Sequence, residues 1–254
     1  MKRLVTYISV FVTLVGWAQT DTANLFEQGN KAYNAEDFEG AISAYEKILE
    51  TGQHSAELYF NLGNANYKLN RPGPSIYYFE KALLLSPDDK EILENLAYAQ
   101  NMTLDAFVPM PENDLSNFYK NTVGLLSFEQ WAYVSIAMML LFILGYLIYH
   151  FSALANRKRI AFLGGTTALI ISVVAVGLAY VRYTEFMADD PAIVFAAEVV
   201  VTDAPNANGA ERFRLHEGTK VIIEEGFEGW KKVRIPDGNT GWMPAEDLKA
   251  LKDF

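Results

Sequence analysis

A chain of 254 residues with 31 acids, 21 bases, three histidines and no cysteine has room for one or two ordinary domains. Acids outnumber bases 16 to 7 over residues 19–126 and 14 to 8 over residues 183–254. Binding to a phosphate backbone needs clustered Lys and Arg, so nucleic acid is not an expected partner. The lack of cysteine excludes disulfides, thiolate metal sites and a Cys nucleophile, and is compatible with an oxidising or a reducing compartment.

Three stretches carry no charged side chain: Leu4 to Ala18, Trp131 to Phe151 and Ile160 to Val181. The first follows Met1-Lys2-Arg3 and ends in Gly16-Trp17-Ala18, the basic, apolar and small-residue order of a secretory signal peptide over residues 1–18. An uncleaved anchor fits the same residues; both place residue 20 onward outside the cytoplasm.

Aligned with itself at an offset of 34, the next region pairs Phe26 with Phe60, Gly29 with Gly63, Asn30 with Asn64 and Tyr33 with Tyr67. The match continues through Ile42 and Ile76, Tyr45 and Phe79, and Leu49 and Leu83. This period, with helical spacing inside each unit, resembles the tetratricopeptide repeat (TPR). Units at 22–55 and 56–89, followed by a capping helix at 90–100, make an all-α TPR superhelix over residues 22–101. Asp88 and Asp89 are placed to cap that last helix. The resemblance implies a peptide-binding concave face made by the first helix of each pair. Its positions are Phe26, Asn30, Tyr33 and Asn34 in the first unit, and Phe60, Asn64, Tyr67 and Lys68 in the second. An Asn amide offers a donor and an acceptor to a peptide bond. Equally, these residues cover the inner surface of a small superhelix.

Residues 102–130, with Pro109 and Pro111, read as a linker. Trp131 to Phe151 spans about 31 Å as a helix, against a hydrocarbon thickness of about 30 Å. With Ile160 to Val181 it makes a transmembrane α-hairpin of spans at 131–151 and 160–181. Residues 152–159 between them include Arg157-Lys158-Arg159, and the positive-inside rule assigns that turn to the cytoplasm. Gly164, Ala168 and Ser172 recur every four residues on the second span, a face suited to close packing against the first.

From Ala192 the pattern becomes β-rich. Five runs are expected, at 192–201, 213–215, 220–225, 230–235 and 241–244, with turn residues between them. Gly229-Trp230-Lys231-Lys232-Val233 and Asp237-Gly238-Asn239-Thr240-Gly241-Trp242 resemble bacterial SH3 domains, which implies an all-β SH3-like barrel at 190–252. Such domains bind cell-wall peptides or protein segments, and the resemblance implicates Trp230 and Trp242, which have packing roles as well. His54, His150 and His216 are far apart in sequence, with no triad context, and no cofactor or metal motif is present.

The order of signal segment, TPR pair, two spans and SH3-like module resembles the BatE proteins of Bacteroides aerotolerance operons. The resemblance implies a two-pass protein of the bacterial inner membrane with both soluble modules in the periplasm. It also implies association with von Willebrand A-type Bat membrane proteins, and a link to oxidative stress tolerance. A non-enzymatic adaptor docking periplasmic protein segments is the expectation; the competing one is a protein that binds or senses peptidoglycan through the SH3-like module.

Overall fold

The computed structural model describes residues 22–107 and 114–253; the expected signal peptide lies outside them. The described residues divide into two compact units, 22–107 together with 190–253, and 114–189.

The first unit begins with helix α1, described over residues 22–34. It continues with α2 (Phe38–Glu50), α3 (Ala56–Lys68), α4 (Pro72–Leu85) and α5 (Lys90–Gln100). Each start has a local cause. The Asp37 side chain accepts from Gly40 N, Ser55 from Leu58 N, and Asp89 from Glu91 N and Ile92 N, satisfying amides that have no intrahelical partner. Helix α4 has no side-chain cap and opens on Pro72, whose missing N–H costs little there.

The two helical pairs close by the same device. The ring of Tyr45 lies over Gly29 and the ring of Phe79 over Gly63: a Cβ at Gly29 would fall 2.3 Å from Tyr45, and one at Gly63 2.6 Å from Phe79. Both rings are fully buried. Ser75 Oγ also donates to Gly63 O at 2.9 Å, so small residues set the spacing and aromatic rings fill it.

The C-terminal part contributes β1 (Pro191–Val194), β2 (Glu198–Thr202), β3 (Glu211–His216), β4 (Lys220–Phe227), β5 (Trp230–Arg234), β6 (Thr240–Pro244) and β7 (Leu248–Ala250). They form one antiparallel sheet in the order β3-β2-β6-β5-β4-β1-β7. The expected barrel is therefore not closed: β3 and β7 end the sheet without pairing with each other. One apolar cluster nevertheless takes side chains from all seven strands, among them Val194, Val201, Leu215, Val221, Val233, Met243 and Leu248, so the sheet curls around it. The single strand expected at 192–201 is broken in two where Phe195 N and Ala196 N both donate to Asp247 O, at 2.8 and 3.4 Å. That turn also brings in β7, which the sequence reading lacked.

Strand β1 is buried along its whole length. Ala192 and Val194 face the sheet core. Ile193 between them points the other way, as alternation requires, and joins Leu251 and the partly buried Phe195 in the core of the helices. Polar contacts follow the same seam. Lys220 Nζ reaches Glu80 Oε2 at 2.7 Å, Gly73 N donates to Glu217 Oε1 at 3.2 Å, and Lys81 pairs with Asp253. Asp105, from the stretch read as linker, accepts from His216 N at 2.8 Å and Thr219 Oγ1 at 2.5 Å, and lies 2.6 Å from His216 Nδ1. Gly218, at φ +87°, is pressed against the helices, where a Cβ would meet Thr103 at 2.7 Å and Ile76 at 3.0 Å.

The second unit holds α6 (Asp114–Lys120), a 3₁₀ turn (Val123–Leu125), α7 (Phe128–Phe151) and α8 (Ala155–Ala188). Helices α7 and α8 are long and apolar enough to cross a membrane. They pack through Gly165, Ala168, Ser172 and Ala175 on α8, and Ser172 Oγ donates to Ser135 O at 3.0 Å. The four-residue spacing through Gly164 is thus replaced by steps of three and four from Gly165, the spacing that keeps one face toward a neighbour crossing at a shallow angle. Gly164 faces open space. Arg157, Lys158 and Arg159 lie at the start of α8 rather than in an open turn, so only residues 152–154 join the helices.

Two outcomes follow. Ala is the better helix former by about 1 kcal/mol, but overpacking a filled core costs about 1–3 kcal/mol, so Gly63→Ala should lower the denaturation midpoint of the purified chain while Gly164→Ala leaves it unchanged or raised. An unchanged midpoint in Gly63→Ala would contradict the packing described. The second concerns acid. Burial by itself raises Asp253 and Asp105, but hydrogen bonds from Lys81 and Tyr77 with the Lys81 charge, and from Thr219 and His216, hold both below the ordinary carboxylate range. A carboxylate depressed in the folded state contributes stability that is complete above its unfolded pKa of roughly 3.9, and loses it as pH falls through the folded value. The midpoint should therefore hold down to about pH 5 and fall below about pH 4, less steeply in Asp253→Asn. At neutral pH Asp253→Asn should cost about 1–3 kcal/mol, below the 3–5 of a fully buried pair, because Lys81 is 6% exposed but Asp253 is 49% exposed.

Candidate functional site

The positions read as a concave peptide face lie on α1 and α3, and the structure gives them unequal roles. Phe26 leans on Tyr45 with ring centroids 5.8 Å apart, Phe60 on Phe79 at 5.8 Å, and Tyr33 edge-on against Phe38 at 5.3 Å. Tyr67 is likewise half-buried against the helical core. These aromatics present one edge outward and spend the other on packing. Asn34 and Lys68 are exposed and Asn64 is half-buried.

The two equivalent asparagines differ for a reason visible in the repeat. Tyr45 donates its hydroxyl to Asn30 Oδ1 at 2.7 Å, and Asn61 Nδ2 approaches the same oxygen at 3.3 Å. Burial, with smaller contributions from Tyr33 and Glu57, pushes the Tyr45 phenol up to about 12, so it remains a donor. In the second unit the ring is Phe79 and has no hydroxyl to offer Asn64. Asn30 is engaged in holding the repeat together, whereas Asn64 stands at the same place without that tie.

On the sheet, antiparallel register puts Trp230 opposite Pro244 and Lys232 opposite Trp242. Directly opposed residues share a face, and Val233 and Met243, alternating with them, are buried in the core. Trp230 and Trp242 thus occupy one outer face, both half-buried. Gly241 admits this arrangement by close approach, since a Cβ there would meet Val201 Cγ1 at 2.5 Å and Thr202 O at 2.9 Å. Lys232 pairs with Glu225 at 3.3 Å, and Arg234 with Glu224 at 2.9 Å, edging the tryptophans with charge.

A cleft of about 400 Å³ lies elsewhere, between the outer helices α2 and α4 and the turn after β1. Its walls include Glu39, Glu46, Arg71, Tyr78, Phe195 and Lys249. Arg71 is held by Glu39 through contacts of 2.5 and 3.2 Å, and Lys249 Nζ sits 4.4 Å above the Phe195 ring. Burial, aided by the Glu46 carboxylate, raises the Tyr78 phenol. Sequence reasoning found none of this, because the cleft exists only where residues 195 and 249 pack on helices more than 100 positions earlier. Among the described residues, no group of three or more His, Asp or Glu side chains is gathered as metal ligands would be.

Comparison with known families finds a match in the helical part. Residues 56–89 match the tetratricopeptide repeat. The match contains the whole second helical pair, α3 and α4, with Gly63 and Phe79. No curated protein matches the chain at a significant level. A tetratricopeptide repeat suggests a role in protein–protein interaction and is typically a non-catalytic scaffold.

The contrast between the asparagines is testable. Asn30→Ala should lower the denaturation midpoint, because removing the acceptor of the buried Tyr45 hydroxyl costs about 1–3 kcal/mol, while Asn64→Ala should stay within about 0.5 kcal/mol of the parent chain. Equal losses would contradict the assignment.

Proposed function

We propose that this chain is a membrane-anchored, non-enzymatic adaptor that docks extended segments of other envelope proteins on the α1–α3 face of its TPR region. The observation that carries the proposal is the division of labour among the repeats. The outer helix α4 is engaged by the C-terminal sheet, whereas the α1–α3 face offers Asn64, Lys68 and the partly exposed rings of Phe26, Phe60 and Tyr67 to a ligand. An amide flanked by aromatics suits an extended backbone, one offering hydrogen bonds and the others area at low entropic cost.

Helices α7 and α8 are read as two membrane spans. Three cations at the start of α8 oppose the helix dipole, at about 0.3–1 kcal/mol each, which argues for a compensating negative surface such as lipid headgroups. The positive-inside rule assigns that end to the cytoplasm and both soluble parts to the periplasm of an inner membrane. The C-terminal sheet is read as an SH3-like module, supported by its small curled antiparallel sheet and by the Asp237-Gly238-Asn239 hairpin before Gly241-Trp242. The full order of parts resembles BatE proteins, which supplies von Willebrand A-type Bat proteins as candidate partners and aerotolerance as the setting.

A second reading makes the chain a peptidoglycan-binding or sensing protein acting through the sheet. It is favoured by the placement of Trp230 and Trp242 on one outer face. Purification from native membranes separates the two. Asn64→Ala combined with Lys68→Ala should lose the co-purifying membrane proteins and keep the fold, while Trp230→Ala combined with Trp242→Ala keeps them. Retained partners in the first variant, with murein binding lost in the second, would replace the adaptor by the cell-wall reading.

A further inference from the structure

The segment leading into α7 exposes large apolar side chains from a backbone that is tied down at both ends. Phe118 on α6 is 66% exposed, and Leu125 in the following 3₁₀ turn is 70% exposed. Tyr119 donates its hydroxyl to Glu185 Oε1 at 2.6 Å, fastening α6 to the last turn of α8. Glu185 is itself held by Arg182 Nη1 at 2.7 Å. The indole N–H of Trp131 donates to Val123 O at 3.0 Å, fastening the 3₁₀ turn to the first turn of α7. Ser127 and Gln130 complete a capping box that starts α7 sharply. Phe118 and Leu125 are therefore held out by a fixed frame.

We propose that α6 and the 3₁₀ turn form a collar that seats Phe118 and Leu125 in the interfacial layer of a phospholipid bilayer, at the open end of the α7–α8 hairpin. The proposal rests on the reading of α7 and α8 as membrane spans and adds a lipid contact outside them. Three observations carry it. The collar is tied to the end of the hairpin where α7 begins and α8 finishes, through Glu185 and Trp131, opposite the basic residues at 157–159. The same end gathers an aromatic group: Phe128 packs against Tyr183 at 5.7 Å and Phe186 at 5.5 Å, with Trp131 beside them, the composition that favours the headgroup level. Large exposed apolar side chains also stand on both spans toward that end, Tyr133 at 67% and Ile136 at 58% on α7 and Tyr180 at 68% on α8. An apolar side chain beside a span and level with its aromatic end lies where headgroup and acyl chain meet.

Because the chain has no cysteine, single labels test this in the intact protein. Phe118→Cys and Leu125→Cys are labelled with an environment-sensitive fluorophore in nanodiscs of phosphatidylcholine and phosphatidylglycerol. Val173→Cys, in the middle of α8, and Asn239→Cys, on the sheet hairpin, serve as references. Phospholipids with brominated acyl chains should quench the labels at 118, 125 and 173, and aqueous iodide should quench only that at 239. Iodide quenching at 118 and 125 with intact bromine quenching at 173 overturns the collar and leaves the spans. Loss of bromine quenching at 173 overturns the spanning reading and the collar with it.

Discussion

Ile193 is buried among helical side chains, while Ala192 and Val194, one residue to either side, are buried in the sheet. A strand that feeds two cores can be completed only when both are present, so residues 22–107 and 190–253 fold as a single compact unit. About 80 residues intervene, including two helices apolar enough to cross a bilayer. If those helices are spans, a shared core demands an even number of crossings, because no strand can pack on helices across a membrane. Two crossings meet that demand, and the constraint comes from packing, independently of any charge rule.

The same seam also decides which side of the repeat is occupied. Tyr77 and Lys81 on α4 turn toward the sheet, Tyr77 stacking edge-on with Phe195 at 5.5 Å and Lys81 lying over the rings of Tyr59 and Tyr77. A buried ammonium is costly unless its charge is answered, and here Asp253, more than 170 positions later, answers it. The segment after β7 is thereby drawn onto α4. Both the α1–α3 face and the tryptophan face belong to this one unit, so the spacing between them is fixed by it.

Much of this was legible in the sequence. The paired Gly29/Tyr45 and Gly63/Phe79 positions announce the helical repeat, because a glycine facing an aromatic at constant separation has one packing explanation. Two uncharged runs announce the apolar helices, and the alternating, turn-punctuated C-terminus announces an antiparallel sheet. What escaped depends on partners distant in the chain. The run Pro191-Ala192-Ile193-Val194 cannot reveal that its two faces enter different cores, and Asp105 in a nominal linker gives no sign that it will meet His216 and Thr219. The break after β1 is set by Asp247, and Gly165 displaces Gly164 because the neighbouring helix decides which small face is used. At the candidate site, residue types and positions were readable, but the engagement of Asn30 by Tyr45 was not.

The central claim is that helices and sheet close on one another across the intervening hairpin. It is tested most directly by placing cysteines at Glu80 and Lys220, whose side chains meet at 2.7 Å, in the otherwise cysteine-free chain and treating native membranes with a short bismaleimide. The account predicts an intramolecular cross-link recovered as a linked peptide pair within one chain. Absence of the link, or links only between separate chains, would contradict it.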